Sequence, residues 1–153
     1  MGYTEKYDEA VAQLETGAFD RARQLFYDIH VEYHVPLALL RVSQLDFIAG
    51  DFESIQFPEI LKPEDAWIRL GIYRAAILGL ENELQAWLAR SDKVGNSKKV
   101  RAFLVACGKQ NLIRREMEVN LGESQEVLRL EKILKNRQYS RLLEDSMFHQ
   151  YYS

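Results

Sequence analysis

The chain has 153 residues, of which 8 are glycine and 3 proline. That is well below the ~12% of average usage and disfavours collagen, a proline-rich linker and a turn-dense β-sandwich or barrel. The length suits a single domain spanning 1–153, able to bury roughly 68–70% of its unfolded surface without a covalent staple. A net charge of −3 and an apolar share of 47% are ordinary for a globular chain and argue against disorder.

The one cysteine, Cys107, excludes an intrachain disulfide and a multi-cysteine zinc site. Thr4, Glu5, Lys6, Asp8 and Glu9 stand where a signal peptide would carry an apolar stretch. The longest apolar run, 75–80, is far short of the ~18 residues that mark a membrane span. These features predict a soluble, cytoplasmic protein.

In chain order, apolar residues recur with helical spacing. Tyr7, Ala10, Val11 and Leu14 mark one helix face, with Thr4 as the expected N-cap. Phe19, Ala22, Phe26 and Ile29 mark a second helix, which should end before Pro36. Residues 36–49 are apolar nearly all round, and a short helix is expected from Gly50-Asp51-Phe52 to Pro58. Pro63-Glu64-Asp65 opens a helix whose stretch from Trp67 to Leu78 should lie at the centre of the molecule. Leu80, Leu84, Trp87 and Leu88 give the next stripe, and residues 91–97 read as a loop. Further stripes follow: Val100, Phe103, Leu104 and Cys107; Ile113, Met117 and Leu121; Val127, Leu130 and Leu134; and Tyr139, Leu142, Leu143 and Met147. No run alternates with period two. The expected architecture is all-α, with about ten helices packed as stacked antiparallel hairpins, an α-α superhelix or short α-solenoid.

The spacing of the breakers supports that expectation. Gly17, Gly50, Gly79 and Gly108 are 33, 29 and 29 residues apart, and Asn136, another residue tolerant of a left-handed turn, lies 28 further on. A period near 30 with two helices per unit is the pattern of a helical-hairpin repeat.

Gly17, Phe19, Ala22 and Phe26 resemble the turn and second helix of a tetratricopeptide repeat. Gly50-Asp51-Phe52 resembles the same turn, and Trp67, Leu70, Gly71 and Tyr73 resemble the start of a first helix. The match is good over about 25 residues, partial to about residue 90 and weak beyond. Tyr73 falls one residue early, Ile55 replaces a small residue, and Pro58 cuts a second helix short. The resemblance implies binding of a protein or peptide in a groove lined by the first helix of each pair. A carboxylate clamp does not match, because the positions equated with it carry Leu39 and Ser43, or Ile68 and Ile72. Short bacterial members act as secretion chaperones or adaptors.

Charge is uneven along the chain. Residues 1–76 hold 13 acids and 7 bases, and residues 77–153 hold 10 acids and 13 bases. Between Arg90 and Arg115 eight bases face Asp92 alone, a block that reads as a solvated face or as an attractant for anions.

Catalytic patterns are weak. His30 and His34 are spaced for one helix face, but Val31 stands where a zincin needs glutamate, and the second half of a zinc-deaminase signature is missing. Cys107 ends an apolar stripe and reads as a small buried hydrophobe, not a nucleophile. No phosphate-binding or nucleophile-elbow motif occurs. Trp67 and Trp87 read as core. The aromatic C-terminal segment from Phe148 has no obvious core position and reads as a docking segment or a frayed end, flexible over about 149–153.

The sequence therefore predicts a non-enzymatic interaction module without a metal or cofactor. It would act as an adaptor, scaffold or chaperone for a partner protein or peptide, such as a secretion substrate or a complex subunit. Arg41, Arg69, Tyr73, Lys98 and Arg101, on first-of-pair helices, are the candidate contact residues. Alternatives are nucleic-acid or acidic-partner binding through block 90–115, a homodimer, and an accessory domain or fragment of a larger enzyme.

Overall fold

The computed structural model describes residues 2–109, 111, 121–143 and 148, with backbone alone for 121–123. The described residues include eight α-helices and no strand. These are α1 Thr4–Glu15, α2 Phe19–Tyr33, α3 Pro36–Ile48, α4 Glu64–Leu78, α5 Glu81–Arg90, α6 Asp92–Gly95, α7 Lys98–Ala106 and α8 Leu121–Lys135. About ten helices were expected. Phe52–Ser54 and Tyr139–Leu142 are single 3₁₀ turns, and the stripe carrying Ile113 and Met117 lies outside the described residues.

Helix starts differ in detail from the expectation. Tyr3 already has helical backbone angles, so Thr4 sits inside the first turn and caps nothing. The expected loop 91–97 contains the turn α6, because the Ser91 side chain accepts from Val94 N and Ser97 then accepts from Val100 N to start α7. Each hydroxyl satisfies one of the orphan amides of a helix start.

Four helix ends, those of α1, α3, α4 and α7, share one device. At Gly17 (φ 81°) the amide donates to Leu14 O at 3.0 Å, and the next amide, Ala18, reaches back to Gln13 O at 2.8 Å. This is a Schellman turn, which needs a left-handed residue that glycine supplies without a Cβ penalty. The same pair of bonds recurs at Gly50, Gly79 and Gly108, with φ of 77°, 72° and 75°. The fifth turn is not at Asn136. Arg137 takes the left-handed conformation (φ 55°) and donates to Leu134 O. The left-handed positions 79, 108 and 137 are therefore evenly spaced, 29 residues apart.

The chain packs as two compact units. The first comprises residues 1–63 and 138–153. Here α2 packs on α1 and α3, and both 3₁₀ turns pack on α3. Three residues link α1 to α2, so two helices packed along their length run antiparallel. Ala10, Leu14, Ala22, Phe26 and Ile29 join the α1 and α2 stripes in a core fully closed to solvent. α3 is buried on nearly every side, including the polar Ser43, Gln44 and Asp46. Tyr139 closes the C-terminal return, with ring centroids 5.8 Å from Phe47 and 5.2 Å from Phe52. Phe148, expected to lack a core position, is buried, since its apolar ring gains more by leaving water than by serving an exposed tail. Residues 149–153 lie outside the described residues.

The second unit is residues 64–137. Here α4 packs on α5, α6 and α7, and α7 packs on α8. Trp67, Ile68, Leu70 and Ile72 of α4 meet almost no solvent, as the all-round apolar pattern requires. Gly71 lies directly under the indole of Trp87. Trp87 is half-buried, with the Arg90 guanidinium 5.9 Å from its ring centroid. Ion pairs Asp65–Lys93 and Glu81–Lys109 each span 28 residues, nearly one repeat.

Candidate functional site

Four of the five candidate contact residues lie in the second unit, on α4 and α7; Arg41 lies in the first. Arg41 is half-buried on α3. Its Nε donates to the Tyr7 hydroxyl at 3.1 Å and its Nη1 to Gln44 Oε1 at 2.8 Å. This guanidinium ties α1 to α3 and is committed to the first unit's own packing.

In the second unit, α4 and α7 run side by side in the same direction. Lys93, in α6 and five residues ahead of α7, pairs with Asp65 at the start of α4 at 3.0 Å. Further along, Tyr73 and Phe103 meet ring to ring with centroids 4.4 Å apart. Arg69 lies between these two contacts along α4, as Lys98 does along the segment from α6 into α7.

The floor of this arrangement is apolar. Tyr73 is only 4% exposed, so it is part of the core and not a surface contact. Burial pushes its hydroxyl up to about 12, with Arg69 opposing the shift and Glu126 adding to it. Glu126 itself is held below its usual range, first by Arg129, which bonds both of its oxygens, and also by Lys99. Side chains of α4, α7 and α8 thus share one electrostatic neighbourhood.

The rim is cationic. Arg69 is half-buried, with its Nε sealed from solvent and without a hydrogen-bond partner. Lys98 is exposed on the first turn of α7, and Arg101, half-buried, donates from Nη1 to Asn96 O at 3.4 Å. Lys98 and Lys99 occupy the positive end of the α7 dipole, where no acid stands. A cation in that place costs about 0.3–1 kcal/mol, the reverse of what an acid contributes. The sequence carries this local penalty without a compensating capping acid.

The division into units also sharpens the charge asymmetry. The first unit holds 13 acids and 6 bases, net −7, and the second 10 acids and 14 bases, net +4. Arg114 and Arg115 of the basic block lie outside the described residues.

The residues considered for catalysis are placed as follows. His34 leaves α2 in a left-handed conformation (φ 54°), so it does not share a helix face with His30. Among the described residues, no group of three His, Cys, Asp or Glu is arranged to hold a metal ion. Burial pushes the Cys107 thiol up to about 12, against the opposing pull of Lys109. It is a protonated thiol at neutral pH, unsuited to nucleophilic attack. No helix among the described residues is long and apolar enough to cross a membrane. No family model, curated protein or solved structure matches the chain.

Proposed function

We propose that the chain is a non-enzymatic protein-interaction module of tetratricopeptide-like construction. Stacked helical hairpins present the first helix of each pair to a partner peptide or helix. The observation that carries this reading is the placement of successive first-of-pair helices. Taking each left-handed turn as the hinge of a pair, α4, α7 and α8 are the first helices of the second unit, and they pack in order, α4 on α7 and α7 on α8. In the first unit α1 and α3 hold the same role and are joined by the Tyr7–Arg41 bond. In the second unit α5, second of its pair, is the more exposed helix, with Leu84 alone buried.

Site-specific photo-crosslinking in native extract tests the reading. A crosslinker at Lys99, exposed on first-of-pair α7, should give a discrete adduct with a partner protein. One at Gln85, on the exposed side of second-of-pair α5, should not. No adduct at Lys99, or an adduct at Gln85 alone, overturns it.

A further inference from the structure

Resting on that reading, we infer that Arg69 and Lys98 form a paired cationic reader on the second unit for an extended acidic segment of the partner. The segment would carry carboxylates at alternate positions. Arg69 and Lys98 stand 29 residues apart, the interval that separates the left-handed turns at 79, 108 and 137. Each therefore stands ten residues ahead of its left-handed turn, Arg69 in the second turn of α4 and Lys98 at the start of α7, on helices that pack on each other. Neither forms an ion pair or a side-chain hydrogen bond among the described residues, whereas Lys93, Arg74, Lys109 and Arg129 of the same unit each hold a carboxylate.

Spacing selects the ligand. Packed helices sit about 8–10 Å apart, and alternate residues of an extended peptide project to one side about 6.6 Å apart. Long, flexible arginine and lysine side chains close that difference. The net +4 of the unit draws an acidic segment in, and the first turn of α7, with lysines and no acid, adds to the attraction. A terminal carboxylate is not required, because two side-chain carboxylates supply both contacts.

Fluorescence anisotropy on the full chain, with a labelled, C-amidated peptide of alternating glutamate and serine, tests the inference. The peptide should bind, and added salt should weaken it. Arg69→Gln and Lys98→Gln should each lower affinity about tenfold, the loss expected for one charge-assisted contact. Lys132→Gln, at an exposed cation on α8, should leave affinity unchanged. Circular dichroism checks that Arg69→Gln folds; if it does not, Lys98→Gln, at an exposed position, decides. The inference is overturned by any of three results: no binding, equal affinity for a peptide of the same charge with glutamate at every fourth residue, or tighter binding of oligothymidylate of equal charge. If the peptide fails while the Lys99 crosslink persists, the interaction module stands and only the reader falls.

Discussion

Gly71 and Trp87 hold α4 and α5 in direct backbone-to-ring contact. A Cβ added at Gly71 would lie 2.5 Å from Cδ2 and 2.7 Å from Nε1 of the indole, and closer still to Cε2. Alanine in place of a mid-helix glycine ordinarily stabilises a helix by about 1 kcal/mol. Here the sign should reverse, with Gly71→Ala costing about 1–3 kcal/mol as an overpacking change. Urea unfolding of Gly71→Ala, Trp87→Ala and the double variant checks it. The double variant should lose less than the two single losses together, because the clash disappears with the indole.

Arg137 offers the opposite experiment. It is a non-glycine residue at φ 55° in a place where the other four turns use glycine. Arg137→Gly should stabilise the fold by about 0.5 kcal/mol, the relief of left-handed strain less the entropy that glycine adds to the unfolded chain. Gly79→Ala, at φ 72°, should cost about 1 kcal/mol. Thermal melts of both variants give the signs directly.

In the first unit, Arg23 grips Asp46 through Nε–Oδ1 at 2.7 Å and Nη2–Oδ2 at 3.1 Å. The carboxylate is buried while the guanidinium stays partly in water. Asp46→Ala removes an acceptor from both donors and leaves a hole in α3, so a loss of about 2 kcal/mol is expected. Glu9→Ala, by contrast, breaks an exposed pair with Arg21 at 3.9 Å and should be nearly neutral in the same chemical denaturation.

Alkaline pH should destabilise the protein in two steps. The Cys107 thiol is raised from 9.0 to about 12, and the Tyr73 hydroxyl from 10.0 to about 12. A group whose folded pKa is raised contributes its full stability below the unfolded value and loses it as pH climbs towards the folded one. Stability should therefore fall from about pH 9 upward, more steeply beyond pH 10. Cys107→Ala should flatten the first part of that fall and Tyr73→Phe the second, read as denaturation midpoints between pH 8 and 11. Cys107 in the folded protein should also react slowly with iodoacetamide at pH 8 and rapidly once unfolded in urea. Fast labelling of the native protein would contradict the raised thiol.

The sequence by itself determined the helices and most of their ends. Apolar stripes of period 3.6 and scarce breakers leave α-helix as the only regular structure that buries those side chains and pairs the backbone. Gly17, Gly50, Gly79 and Gly108 announced the left-handed turns, because such turns are local and need only the missing Cβ. The fifth turn was misplaced by one residue. Asn136 has the better intrinsic tolerance for the left-handed region, but its amide still donates to Lys132 O in the helical pattern, so the reversal falls one residue later at Arg137. Tertiary structure alone decided the candidate site. Arg41, Arg69, Tyr73, Lys98 and Arg101 look alike as polar or amphipathic residues on first-of-pair helices. Only the arrangement of α1, α3, α4 and α7 spends Arg41 on Tyr7, sinks Tyr73 against Phe103, and leaves Arg69 and Lys98 without a counter-charge among the described residues. Periodicity says which face of a helix is buried; which charge finds a partner is settled by neighbours distant in sequence.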